Sequence, residues 1–230
     1  MNKRLTVILF LFILSTSALA QSRFSLEAGL VSSNYFGKSG GLGLYTAEKW
    51  GLRTGLGADS RIGNHLSLQY GALYVMNGYR QNTVKGDLDF ALSTINIPIN
   101  LVYKFDKPTG NRLYVGAGPY MGFNMFGEKT YTPIDSAAYS WQVDVGDDPR
   151  DDIKLFDLGI GLTAGYELKK GWFFHFFYQT GILNMSTNGD SKNILNNKNS
   201  GISVGYLFGT GRQRKNNNSA GGFRNNGLEM

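Results

Sequence analysis

His175, Ser203 and Asp157 are the residues from which hydrolytic chemistry could be assembled. A hydroxyl would attack, an imidazole would take its proton, and a carboxylate would orient the imidazole. Such a set would suit an enzyme acting on lipid A or phospholipid. Nothing in the spacing ties the three together, and His65, the other histidine, falls in a tight turn. A second concentration of reactive groups is "DVGDDPRDD", with Asp144, Asp147, Asp148, Asp151 and Asp152. Closely spaced carboxylates can hold calcium, bridge lipopolysaccharide through divalent ions, or meet a partner. The fixed ligand spacing of a dedicated calcium loop is missing, so a solvated acidic loop is the plainer reading. A third set is scattered: Glu27, Arg53, Asp59, Arg61, Lys104, Asp157, Glu167 and His175. The chain has no cysteine, which removes disulfides, thiolate metal sites and thiol nucleophiles. No cofactor motif is present, and no catalytic residue, cofactor or metal is expected.

The elements carrying these residues are strands. Eight segments have strand character, at about 23–33, 50–62, 66–81, 93–105, 112–127, 153–168, 172–184 and 201–209. Three connections are tight and turn-like: "GNH", "DKPTGN" and "KKG". The other four, roughly 34–49, 82–92, 128–152 and 185–200, are long and polar. Short and long connections alternate strictly. An antiparallel up-and-down sheet then gathers all the long loops at one end and both termini at the other. That asymmetry, with an even strand number, is expected of an eight-stranded antiparallel transmembrane β-barrel with short periplasmic turns and long extracellular loops.

The faces support the same architecture. In "STINIPINLVYKFDKPTGNRLYVGAGPYMGF", Ile95, Ile97, Ile99, Leu101 and Tyr103 alternate with Asn96, Asn100 and Lys104. The later strand "FDLGIGLTAGYEL" sets Phe156, Leu158, Ile160, Leu162 and Ala164 against Asp157, Gly159, Gly161, Thr163 and Gly165. A soluble barrel would crowd its outward face with Lys, Glu, Ser and Thr. Here the non-greasy face is dominated by glycine, which weakens a solvent-facing strand but makes room inside a narrow cylinder. The greasy face is therefore assigned to lipid, and the scattered charges to a nearly balanced polar network in the lumen. Phe173 and Phe177 would point inward as plugs beside His175 and Gln179. A soluble periplasmic barrel holding a greasy ligand is the rival with the faces reversed.

"MNKRLTVILFLFILSTSALAQS" has a basic start, a short apolar run and small residues at Ala18 and Ala20. That is the layout of a signal peptide over 1–20, cleaved between Ala20 and Gln21. Of the 23 basic residues Lys3 and Arg4 leave with it, so 21 face 17 acidic ones and the formal charge falls from +6 to +4. Much of that sits in the tail 210–230, where Arg212, Arg214, Lys215 and Arg224 oppose Glu229. The tail is polar and basic and is expected to be disordered in the periplasm. The barrel, 21–209, is near neutral, so it carries no electrostatic footprint for nucleic acid.

With "INIPINLVYKF" followed by "LYVGAGPYMGF", "FDLGIGLTAGYEL" and the closing "GISVGYLF", residues 22–209 resemble the PorT-like outer-membrane β-barrel proteins of Bacteroidetes-type bacteria. That family is similar in architecture to the small OmpA and OmpX barrels. The resemblance implies residence in the outer membrane of a Gram-negative bacterium, termini in the periplasm, and contact with outer-membrane lipid. It also implies a link to protein secretion through one namesake member, and brings no catalytic motif. The expected function is a non-enzymatic structural, assembly or surface-interaction component, meeting other outer-membrane or secretion proteins through its long loops. The alternative is a small porin-like channel for ions or solutes, which a salt-bridged lumen of eight strands would obstruct.

Overall fold

The computed structural model describes residues 22–189 and 191–209; the expected leader 1–20, its expected cleavage point between Ala20 and Gln21, and the tail 210–230 lie outside them. Ten strands follow in order: β1 (Ser22–Ser39), β2 (Leu42–Tyr45), β3 (Ala47–Arg61), β4 (Leu66–Thr83), β5 (Gly86–Asp106), β6 (Arg112–Pro133), β7 (Tyr139–Val143), β8 (Phe156–Glu167), β9 (Trp172–Gly181) and β10 (Ile194–Phe208). Eight of them form one antiparallel ring, β1–β3–β4–β5–β6–β8–β9–β10, closed by β10 pairing with β1. The short strands β2 and β7 lie off the ring, each paired to one wall strand, β1 and β6. Closure leaves no ladder edge around the ring, which is what hydrocarbon demands of backbone N–H and C=O groups. Among the described residues no helix is long and apolar enough to cross a membrane.

The alternation fixes which side chains face out. Leu26, Leu30, Leu56, Leu101, Val115, Leu162, Phe174 and Ile202 all stand exposed on the outer wall, Ile202 at 61 %. A belt of this extent is stable only against lipid. Aromatic rings pair at its lower rim: Tyr103 with Phe105 at 4.8 Å, Trp172 with Tyr206 at 5.4 Å, and Tyr206 with Phe208 at 5.0 Å. At the upper rim Phe123 lies 5.5 Å from Phe156. Both ends of the described chain sit at the short-turn end, where Phe24 pairs with Phe208.

The long connections are shorter than the sequence suggests. The segment 82–92 is a turn at Val84 and Lys85, with β4 and β5 paired up to Thr83 and Gly86. Segment 34–49 is mostly β1, β2 and the start of β3, turning at Gly40 and Gly41, whose φ values of 59° and 85° need glycine. Likewise β6 runs on to Pro133 and β10 starts at Ile194. A spanning strand needs about 9–11 residues. β5 has 21 and β6 has 22, so the wall rises well beyond the apolar belt. Once past the belt the outward positions turn charged, as in the Lys49–Asp89 pair and Arg80–Asp89 at 3.2 Å.

Inside, large rings lie across glycines directly opposite them on the next strand. Tyr120 faces Gly159, Tyr114 faces Gly165, Phe173 faces Gly205 and Phe177 faces Gly201. This pairing explains the glycine-rich inner face: the ring covers bare backbone and a side chain there would collide with it. At Gly165 a Cβ would come 2.4 Å from Tyr114 Cζ. Gly165→Ala is therefore expected to cost about 1–3 kcal/mol by overpacking, read as a lower urea midpoint. Gly63→Ala, whose nearest new contact is 3.6 Å, is expected to be neutral in the same assay.

Candidate functional site

The interior is stacked in layers from the short-turn end upward. In the first, Lys104 on β5 bridges two carboxylates, Asp59 of β3 and Glu167 of β8, the latter at 3.1 Å. Arg23 at the start of β1 binds Glu167 through both guanidinium nitrogens, one at 3.0 Å, and lies 3.6 Å from Asp59. Arg112 reaches Glu167 at 3.5 Å and Asp106 at 2.7 Å, while Gln69 Nε2 donates to Asp59 at 3.0 Å. Asp59, Lys104 and Glu167 are all buried, so the charges compensate one another instead of meeting water.

The second layer holds Glu27, Arg53 and His175. Arg53 Nε donates to Glu27 at 3.0 Å, and its guanidinium lies 4.1 Å over the Phe177 ring. His175 Nδ1 meets the Tyr114 hydroxyl at 3.2 Å, while Nε2 is 3.9 Å from Glu27, too far for a hydrogen bond. A cavity of about 60 Å³ adjoins these groups, room for a few water molecules. Phe173 and Phe177 do point inward, both buried.

The third layer is amide-rich. Asp157 accepts from Asn197 Nδ2 at 2.6 Å and lies 3.0 Å from the Tyr120 hydroxyl. Gln179 donates to Asn96 at 3.3 Å, and Asn77, Thr94 and Asn124 form a chain at 3.1 and 2.9 Å.

Above the belt comes an apolar cap: Tyr35, Phe90, Leu92, Val143, Ile153 and Met185, all buried, with Tyr79, Val145 and Leu195 packed around them. Phe90 lies 4.9 Å from Tyr79 and 5.8 Å from Tyr35, ring to ring. Backbone bonds lace the loops over it, including Lys154 N to Met185 O at 2.9 Å and Met185 N to Leu195 O at 2.8 Å.

The residues singled out by sequence thus divide. Glu27, Arg53 and His175 share one layer, and Asp59, Lys104 and Glu167 another. Asp157 is buried apart from both, on the Asn197 amide and the Tyr120 phenol. Arg61 is not in the lumen. At the end of β3 its side chain turns out to solvent and donates to the carbonyls of Gly63 and Asn64, at 2.9 and 2.6 Å. Arg23 takes the place expected for it. A triad is not assembled: Ser203 pairs with His175 across strands, but the imidazole is bonded to Tyr114 and Asp157 is held a layer above.

In the acidic loop, Asp152 pairs with Lys129 and accepts from Asp144 N at 3.2 Å, and Asp151 accepts from Asp148 N at 2.8 Å. Arg150 beside Asp148 holds that exposed carboxyl below its ordinary range by direct hydrogen bonding. Among the described residues no three such groups converge as metal ligands would.

A barrel with a lipid-facing belt and a filled interior agrees with what the sequence matches. The family described as outer membrane protein beta-barrel domain matches residues 15–187. The chain belongs to that family. This outer-membrane barrel therefore resides in the outer membrane of a Gram-negative bacterium with its apolar belt in lipid. Among solved structures it is similar to Neisserial surface protein A, with 16 % identity over 80 % of this chain and 97 % of that one, at a TM-score of 0.45. It is also similar to Ail, the attachment invasion locus protein of Yersinia pestis, solved with the heparin analogue sucrose octasulfate. There the identity is 13 % over 82 % and 99 % of the two chains, at a TM-score of 0.40. No curated protein matches.

Proposed function

We propose that the outer-membrane barrel is a non-enzymatic surface or assembly component of the PorT-like kind, working through its loop end rather than its lumen. In this reading the leader 1–20 is removed, the short-turn end and the basic tail 210–230 face the periplasm, and the tall loop end faces outward. A link to protein secretion follows from the PorT-like resemblance. The observation that carries the reading is double closure: an ion-paired plug fills the short-turn end and a packed apolar cap fills the other. What remains accessible is the folded top, where Tyr139 and Trp141 stack at 5.7 Å, partly exposed, near the acidic loop of Asp144, Asp147, Asp148, Asp151 and Asp152.

Two measurements test it. Reconstituted in planar bilayers, the protein is expected to show no stable unit conductance; a reproducible open level would favour the porin-like alternative. Replacing 135–151 by a short Gly-Ser linker should abolish cross-linking to its surface partner while the unboiled band still shifts on boiling. If every cross-link survives, that loop is not the contact surface.

A further inference from the structure

Two adjacent short turns, β5–β6 and β8–β9, bring Lys107, Lys169 and Lys170 to one place on the short-turn rim. Asn111 clamps the turns together. Its Nδ2 donates to the Tyr166 hydroxyl at 3.0 Å, and its Oδ1 accepts from Lys169 N at 2.9 Å. Each turn is closed on itself, Gly110 N to Lys107 O and Gly171 N to Leu168 O, both at 2.9 Å. The stem of Lys169 lies against Gly110, where a Cβ would come 3.1 Å from Cδ. All three lysines are exposed, and no carboxylate among the described residues pairs with them. Asp106, beside Lys107 in sequence, is bound by Arg112 instead.

Directly above, the outer wall is dented. A groove of about 650 Å³ runs across β6, β8, β9, β10 and β1, lined by Leu113, Ala164, Tyr166, Phe174, Ile202 and Ala28 among others. In register, Leu113, Tyr166, Phe174, Val204 and Ala28 make one continuous row. The small side chains Ala28 and Ala164 lie low on either side of the phenylalanine ridge. Tyr166 belongs to both features: it lines the groove, and Lys107 Nζ stands 5.4 Å from its ring centroid.

A cationic cluster at the rim of a lipid-facing groove is complementary to a molecule with an anionic head and a long apolar chain. We propose that this wall binds one anionic glycerophospholipid of the surrounding leaflet, its phosphate on Lys107, Lys169 and Lys170 and an acyl chain along the groove. Near an anionic headgroup each lysine is worth about fivefold in affinity, so three are worth on the order of 100-fold. A chain leaving the groove stays in hydrocarbon and loses only its packing, a smaller effect of roughly threefold to tenfold.

Native mass spectrometry of the detergent-purified barrel, titrated with phosphatidylglycerol or with phosphatidylcholine of the same chains, tests this. Phosphatidylglycerol should be retained at one copy per barrel, on the order of 100-fold more tightly than phosphatidylcholine. Lys107→Gln, Lys169→Gln and Lys170→Gln together should erase that preference. Ala164→Phe, filling the groove with the lysines intact, should weaken binding by roughly threefold to tenfold. Equal binding of the two lipids, or full retention by the triple variant, would overturn the site. Competition by soluble glycerol phosphate as strong as by the lipid would overturn the groove's part in it. The boiling-dependent gel shift of each variant separates lost binding from lost fold, and neither readout depends on the loop-end partner.

Discussion

Lys104→Met is expected to make the barrel about 3–5 kcal/mol easier to unfold, because it removes one member of a buried charge set and leaves the others in place. The Lys104 ammonium is the cation shared by Asp59 and Glu167. Glu167 keeps Arg23 and Arg112, so the loss falls mainly on Asp59. That carboxylate is left with Arg23 at 3.6 Å and an amide from Gln69. Coulomb attraction inside the barrel offsets desolvation only while the set is complete; taking out one partner exposes the desolvation cost of the other. Urea titration in lipid vesicles measures the change. Adding Asp59→Asn to the variant should recover part of the loss, since no unpaired charge then remains. Arg150→Met, which breaks an exposed ion pair in the acidic loop, should leave the midpoint essentially where it is. Equal losses for Lys104→Met and Arg150→Met would mean the lumen is wet and its charges screened.

The second large effect is expected at the opposite end, and it should be local. Phe90→Ala removes the ring on which Tyr35 and Tyr79 pack and should cost the cap about 3–5 kcal/mol. Phe90 lies above the apolar belt, so the damage need not propagate into strands held by lipid and by a closed ladder. Amides of β7 and of β6 beyond Gly127 should lose hydrogen-exchange protection, and limited trypsin should cut at Arg150. The lower barrel should stay protected and should still shift on boiling. Loss of protection throughout β3, β8 and β9 would show that the cap and barrel form one cooperative unit.

The ring of eight strands was legible because a lipid-facing wall imposes a strict two-residue period, and short turns with glycine, asparagine and proline mark its lower end. Above the belt that signal stops. From Gly86 to Ser93, and again from Asn124 to Pro133, the outward positions face water, so alternation no longer separates a strand from a polar loop. The upper parts of the long strands therefore look like long loops in the sequence. The cap was hidden for a different one: Tyr35, Phe90, Val143, Ile153 and Met185 come from five distant segments, and no local pattern announces that they meet. Inside the barrel, period two could say which residues point inward but not at what height. Hence Glu27 and Asp157 look alike in the sequence, though one pairs with a guanidinium and the other with one amide and a phenol. Strand ends were the weakest positions. Arg61 has the parity for the lumen, yet turn carbonyls lie within its reach, while Arg23 enters the lumen from the start of β1.

The seam between β1 and β10 has one more consequence. It runs from Phe24 opposite Phe208 to Lys38 opposite Ile194, joining the two ends of the described chain. Every other wall contact can form between neighbours in sequence, but this one must wait for the last strand to be made. Until then β1 and β9 carry raw edges that would template pairing with any passing chain. The entropy of bringing the far ends together is met in a single late step, with no partial cylinder to bank it in. The molecule is thus closer to a clasp than to a wall built course by course, and β10 sets the clock for closing the ring.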